Sequence, residues 1–455
     1  MPKSEANGFL AGVIEGFYGP PWAVSERHQL FEWMAAWGLG TYFYCLKDDP
    51  KNRSVWRECY TEAEATGLGE RIRECRSFGV RFVYGLSPGL DIRYSSASDA
   101  ECLRRRFGRL LELGCRDFAL LFDDIPDAMD PADVARWGTL ASAQCGTAND
   151  LFAWTRERCP EASFLFCPTP YCSRMLAAGL GGPNYLETLG RELHSDIDVL
   201  WTGPEIVSAE IPLEHVEAVG AVLRRKPVLW DNLHANDYDG RRFYAGPYSG
   251  RPSSLKGAVR GILVNPNCEL PLNYVPLRTF ADYLSSGDSW DPRTSYLAAI
   301  EAWSKEFGWS SRPVSAEELA FFCDCFYLPF SEGATASALF EAVRRLLERH
   351  PSDWGNGAVE VRRELGRLRD ICVRLADVGN RPLFHALYRR VWELREECDL
   401  LDRYVDRRGR EPGSEPLFVS DYHLPGTYRG GMVAKLQRLL VQEPDGRFRP
   451  ASLRP

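Results

Sequence analysis

The stretch Phe118-Ala119-Leu120-Leu121-Phe122-Asp123-Asp124-Ile125 decides the fold. An unbroken apolar run closed by two acids reads as a short strand buried on both faces, the habit of a parallel sheet rather than of a half-exposed antiparallel one. The two carboxylates then emerge together at the strand's C-terminal end, where α/β enzymes keep their chemistry. An Asp-Asp pair by itself is more often a helix cap or a solvated turn. Its place after a buried strand gives the functional reading equal standing, because two acids in one pocket offer a proton donor beside a fixed negative charge.

Outward from this strand, short β-type runs alternate with helical segments between residues 10 and 265. Eight strands are predicted, over 10–14, 41–44, 80–85, 118–122, 163–166, 199–201, 228–230 and 261–264. Capping boxes at Thr61 to Glu64 and Ser98 to Glu101 mark starts of intervening helices. Repeated βα units on this scale fit a closed (β/α)8 barrel of the TIM type better than an open doubly wound sheet, and no Gly-x-Gly-x-x-Gly or phosphate-loop Lys follows any strand. After nearly every strand comes a polar or glycine cluster: Glu15-Gly16, Lys47-Asp48-Asp49, Ser87 to Asp91, Asp123-Asp124, Tyr171, Trp201-Thr202-Gly203, Trp230-Asp231-Asn232 and Asn265-Pro266-Asn267. In a barrel these clusters converge on one mouth.

The barrel domain is expected over 1–286, with a small, polar stretch ending it. From 293 to 455 the pattern turns helical, with apolar residues at i, i+3, i+4 and i+7 in 295–307, 315–325, 335–349, 358–376 and 383–407, the signature of an all-α bundle. The charge run 403–410 is expected to be a solvated helix face. A last amphipathic helix is expected to carry Met432, Val433, Leu436, Leu439 and Leu440, and its exchange between copies would give a homodimer through the helical domain.

The 455 residues are 45% apolar and 26% charged, ordinary for a soluble globular protein, and no apolar run reaches the ~18 residues that span a bilayer. The start, Met-Pro-Lys-Ser-Glu-Ala-Asn, lacks the apolar core of a secretion signal, so a cytoplasmic protein without membrane attachment is expected. A net charge of −8 and the absence of a basic patch with interleaved aromatics argue against a nucleic-acid partner. The 14 cysteines are scattered, without a Cys-x-x-Cys pair, and read as reduced thiols.

Among chemistries, the seven histidines show no His-x-His or His-x-x-x-His spacing, so zinc is disfavoured and no metal or other cofactor is expected. His234 reads as structural. No Gly-x-Ser-x-Gly elbow supports an acyl-enzyme. Carboxylate chemistry in a pocket with Trp201, Trp230, Tyr171 and several amides remains, and flat aromatic platforms beside Asn and Asp suit a sugar ring. Ordinary glycosidases set two carboxylates ~5–9.5 Å apart across the scissile bond, which neighbours on one loop seldom achieve. The pair fits better the exception in which the substrate's own 2-acetamido group attacks the anomeric carbon, one Asp protonating the leaving oxygen while its neighbour orients the acetamido nitrogen.

The motifs Gly12-Val13-Ile14-Glu15-Gly16-Phe17-Tyr18-Gly19-Pro20-Pro21-Trp22, Lys47-Asp48-Asp49, Ser87-Pro88-Gly89-Leu90-Asp91, Leu121 to Ile125, Leu200-Trp201-Thr202-Gly203-Pro204, Trp230-Asp231-Asn232-Leu233-His234-Ala235-Asn236-Asp237-Tyr238-Asp239 and Asn265-Pro266-Asn267-Cys268-Glu269 resemble glycoside hydrolase family 84. The likeness runs through the whole barrel in order, and Phe326-Tyr327-Leu328-Pro329-Phe330 extends it into the helices. The resemblance implies a retaining β-N-acetylglucosaminidase acting on GlcNAc linked to serine and threonine of proteins, through an oxazoline intermediate. It implies that Asp123 orients and polarises the acetamido group and that Asp124 is general acid and then base. It further implies that Tyr171 bonds the acetamido oxygen with help from Asn232, that Gly16, Lys47, Asp237 and Asn267 hold the ring hydroxyls, and that Trp230 and Cys167 line the acetamido pocket. A hexosaminidase acting on free glycans or glycoconjugates, or a catalytically silent GlcNAc-binding protein, stays open beside it.

Overall fold

The computed structural model describes residues 8–309, 312–410, 432, 440–442 and 448–450. They form two compact units, the first made of the described residues of 8–237, 248–270 and 280–290, the second of those of 238–247, 271–279 and 291–450.

The first unit is a closed barrel of eight parallel strands: β1 (Leu10–Glu15), β2 (Thr41–Tyr44), β3 (Arg81–Leu86), β4 (Asp117–Leu121), β5 (Ser163–Cys167), β6 (Ile197–Trp201), β7 (Val228–Asp231) and β8 (Gly261–Val264). Each pairs with its sequence neighbours, and β8 returns to β1 through Leu10 opposite Gly261 and Val13 opposite Val264, so no edge is left open. The barrel expected from the sequence is therefore present.

Alternation of side chains across the sheet explains why these strands read as unbroken apolar runs. Leu10, Ile14, Phe43, Val83, Ala119, Leu121, Leu165, Leu200, Val228 and Leu263 join in one buried cluster inside the barrel. Their neighbours face the helical layer instead: Phe118 stacks on Phe107 of the helix Ala97–Glu112 at 4.7 Å, and Tyr42 meets Phe31 of the helix Val24–Trp37 edge-on at 5.1 Å. Burial on both faces leaves no polar period to interrupt the run.

Helix starts follow local chemistry. Thr61 closes the anticipated box with Glu64, its hydroxyl accepting from the Glu64 N–H while the carboxylate returns to the Thr61 N–H. The box expected at Ser98 is not used. Ser96 caps that helix, accepting from the Asp99 N–H, and Asp99 is drawn aside to Arg57 and the Arg93 N–H.

The second unit is helical, with Pro292–Trp303, Ala316–Asp324, Ala334–Leu347, Gly357–Leu375 and Arg381–Arg410 around a single apolar cluster. Asp324, fully buried, is the polar node of this unit. Its carboxylate accepts from Arg293 at 2.9 Å, Tyr296 at 3.0 Å and both the N–H and hydroxyl of Thr335, so one acid ties three helices together with its lone pairs filled. Within the charge run 403–410, Arg403, Arg407 and Arg410 are exposed, whereas Tyr404, Val405 and Arg408 are buried, Arg408 donating to the Tyr404 hydroxyl. Of the final helix expected around 432–440, Met432 is helical and buried, Leu440 belongs instead to the strand Leu440–Gln442 that pairs antiparallel with Phe448–Pro450, and Val433, Leu436 and Leu439 lie outside the described residues.

All fourteen cysteines are free thiols. Among the described residues no helix is long and apolar enough to cross a membrane.

Candidate active site

The ladder of β4 runs one residue past the strand, the Phe122 N–H donating to the Cys167 carbonyl, and the chain then turns abruptly. Asp124 stands in the left-handed region with φ of 53°, a conformation aspartate tolerates better than most residues. The consequence is chemical. Successive side chains of an extended strand point to opposite faces, and the turn brings two adjacent carboxylates into one mouth. Backbone held in this way is characteristic of functional sites.

The two acids keep different company. Asp123 is buried and pairs through Oδ2 with the Lys47 ammonium, while its Oδ1 is buried with no hydrogen-bond partner. Asp124 is held by neutral donors: the Tyr171 hydroxyl donates to Oδ1 at 2.8 Å and the Tyr18 hydroxyl to Oδ2 at 3.0 Å. Burial opposes the charge on Lys47, but Asp123 and then Asp124 outweigh it and hold the ammonium above its ordinary value, so it is a fixed cation. Burial and the Asp124 carboxylate push the phenols of Tyr171 and Tyr18 up, which keeps both as donors.

The floor is formed by residues from several strand ends. Cys45, Cys167, Tyr171 and Trp230 belong to the same buried cluster as the barrel interior. Gly16 is squeezed into it: a Cβ there would come within 2.7 Å of Cys45 Sγ, 2.9 Å of Ile14 Cγ2 and 3.1 Å of Trp230 Cη2. Glycine is thus imposed by close approach. Trp230 donates its indole N–H to Asn232 Oδ1 at 2.9 Å, Asn265 donates to the same oxygen at 3.0 Å, and Asn232 donates onward to the Ile206 carbonyl. These bonds fix the face of the indole. Burial lifts the Cys167 and Cys45 thiols far above their ordinary values, so both serve as apolar wall.

The segment after β1 is tied across the mouth by three other strand ends. The Tyr18 N–H donates to Asp237 at 3.0 Å, the Gly19 N–H to Asp48 at 2.7 Å, and the Trp22 indole to the Cys268 carbonyl at 2.6 Å. Below it the buried Glu15 accepts from the Trp22 N–H and the Arg27 guanidinium. Asp237 thus already spends one oxygen on the chain itself, and Asn267 is fully buried in the segment after β8.

Trp201, expected in the mouth, is not there. It is fully buried, and its indole donates to His215 on the helix Leu213–Leu223, as alternation requires when its neighbour Leu200 faces inward. Two residues of the site carried no assigned role in the sequence. Tyr18 lay inside a quoted motif, whereas Arg53, which donates to the Tyr18 hydroxyl and to the Asp124 carbonyl, sits in an irregular stretch without periodic signal.

A family model described as beta-N-acetylglucosaminidase matches residues 11–324. The chain belongs to the β-N-acetylglucosaminidase family, glycoside hydrolase family 84. It is 45% identical over 281 residues to the protein O-GlcNAcase of Rattus norvegicus and, equally, to that of Mus musculus, an alignment covering 62% of this chain. The chain spans 30% of the length of those two relatives. Among solved structures, a mutant of the O-GlcNAc hydrolase of Thermobaculum terrenum superposes with a TM-score of 0.80 at 30% identity, over 92% of this chain and 87% of that one. Family membership thus spans the barrel and reaches into the helices.

Proposed function

We propose that this chain is a retaining β-N-acetylglucosaminidase that removes GlcNAc from serine and threonine of modified proteins by substrate-assisted catalysis. The observation that carries the reading is the asymmetry of the aspartate pair: one acid holds a cation and an unfilled buried acceptor, the other only phenols. In the first step the acetamido oxygen of the substrate attacks the anomeric carbon, the glycosidic bond breaks, and Asp124 gives its proton to the departing serine or threonine oxygen. Asp123 Oδ1 accepts the acetamido N–H and stabilises the positive charge that grows there as the oxazoline closes. In the second step Asp124, now a base, takes a proton from water as it opens the ring, returning the β configuration.

The remaining assignments follow the same reading. Tyr171 bonds the acetamido oxygen, and Asn232 fixes that group. Trp230 and Cys167 wall the pocket for its methyl. Gly16, Lys47, Asp237 and Asn267 meet the ring hydroxyls. We also propose a barrel domain over 1–286 carrying catalysis, a helical domain over 293–455 forming a homodimer, and a cytoplasmic location. The dimer is tested by light scattering at micromolar concentration, where a monomer unchanged on deleting 430–455 contradicts it.

The activity is tested with an aryl β-N-acetylglucosaminide, GlcNAc-modified peptides and chitobiose. Turnover of the aryl glycoside and peptides well above chitobiose is expected. Binding without turnover contradicts the enzyme, and preference for chitobiose contradicts the protein substrate.

A further inference from the structure

We infer that Arg53 is the positioning residue of the proton donor: its guanidinium spans the Tyr18 hydroxyl and the Asp124 main-chain carbonyl and so sets where the Asp124 carboxylate points. The inference rests on Asp124 being the general acid. Arg53 is 8% exposed, and its Nη1 donates to Tyr18 Oη and its Nη2 to the Asp124 carbonyl, each at 2.8 Å. The guanidinium carbon lies 5.5 Å from the Tyr18 ring centre, over its face. Tyr18 Oη donates in turn to Asp124 Oδ2, so backbone and side chain of one residue are clamped from a single cation.

Two physical points make this a device rather than a contact. Asp124 occupies the left-handed region, where its carbonyl has left the strand ladder and takes its hydrogen bond from a donor elsewhere in the chain. Arg53 supplies it and thereby holds the turn that aims the acid. In addition, the cation reaches the carboxylate only through a neutral phenol. A guanidinium bonded directly to a carboxylate favours the ionised form, which a proton donor has to leave and regain in each cycle. Delivered through Tyr18, the cation orders the acid without capping its oxygens.

A fork is needed because the two acceptors belong to different parts of the chain, and an ammonium is a single point of charge. Arg53→Lys is therefore expected to resemble Arg53→Ala. Steady-state rates are to be measured for these two variants, Tyr18→Phe and Asp124→Asn on a dinitrophenyl glycoside, whose leaving group needs no proton, and on an alkyl glycoside, whose leaving group does. Both Arg53 variants should lose about ten- to a hundredfold in kcat on the alkyl glycoside and under about threefold on the dinitrophenyl one, guanidinium ion should restore Arg53→Ala, and Tyr18→Phe should show a smaller split of the same sign. Thermal melting verifies folding, and if the Arg53 variants do not fold, the Tyr18→Phe split decides. Equal slowing of both substrates, or wild-type behaviour of Arg53→Lys, overturns the inference. If Asp124→Asn shows the split and the Arg53 and Tyr18 variants do not, only the positioning role fails. If Asp124→Asn itself shows none, the assignment of the acid fails and the positioning role with it.

Discussion

Lys47 and Asp123 form an ion pair whose side chains are 3% and 8% exposed, so both charges are withdrawn from water. Its worth lies less in stability than in what happens when it is broken, since removing one partner of a buried pair leaves an uncompensated charge, at about 3–5 kcal/mol. Lys47→Ala should therefore lower the melting temperature by several degrees and reduce kcat/KM about a hundredfold or more on every substrate, because Asp123 serves ring closure whatever the leaving group. Melting scans and an aryl glycoside assay check it.

The floor of the site has no room to spare. Gly16→Ala places a methyl against Cys45 Sγ and the Trp230 ring, and overpacking of this kind costs about 1–3 kcal/mol. Activity should fall with stability, because Trp230 and its bond to Asn232 are displaced. Cys45→Ala, which removes the nearest obstructing atom, should recover part of both when combined with Gly16→Ala. Strict additivity of the two losses contradicts this packing account.

Asp231 at the end of β7 gives a pH prediction. Burial pushes its carboxyl up, but Arg251, at 2.7 Å, and then Tyr248 more than reverse this, so it lies below its ordinary value. A depressed carboxyl contributes stability that is present above the unfolded value of about 3.9 and lost as pH falls through the folded one. Arg251→Met strands the acid, so about 3–5 kcal/mol should be lost at pH 7 and less near pH 4, where protonation relieves the buried charge. Urea midpoints at the two pH values test this, and a deficit independent of pH refutes the role given to Asp231.

The barrel was legible because every strand is buried on both faces, so eight apolar runs stand out against helical spacing. The paired aspartates were legible for the same reason, as polar residues ending such a run. Local chemistry failed where tertiary partners compete: Ser98 lost the cap to Ser96 once Asp99 was engaged by Arg57. Trp201 was misplaced because a strand end exposes alternate residues to opposite layers, and one residue of register decides which. Arg53 was invisible, since its role exists only through groups 35 and 71 residues away.

The two aspartates should also part in their dependence on leaving group. Asp124→Asn removes the proton donor, crippling substrates with poor leaving groups and sparing those that depart as stable phenolates. Asp123→Asn removes the stabiliser of ring closure and should slow both by similar factors, about a hundredfold or more. Identical leaving-group dependence in the two variants contradicts the division of labour.

The most direct test of attack by the substrate's own acetamido group is kcat/KM for aryl glycosides whose N-acetyl group carries none, one, two or three fluorines. Each fluorine weakens the carbonyl oxygen as a nucleophile while leaving the carboxylates and the aglycone unchanged. The account predicts a stepwise fall in rate across the series, and a rate that does not respond to fluorination contradicts it.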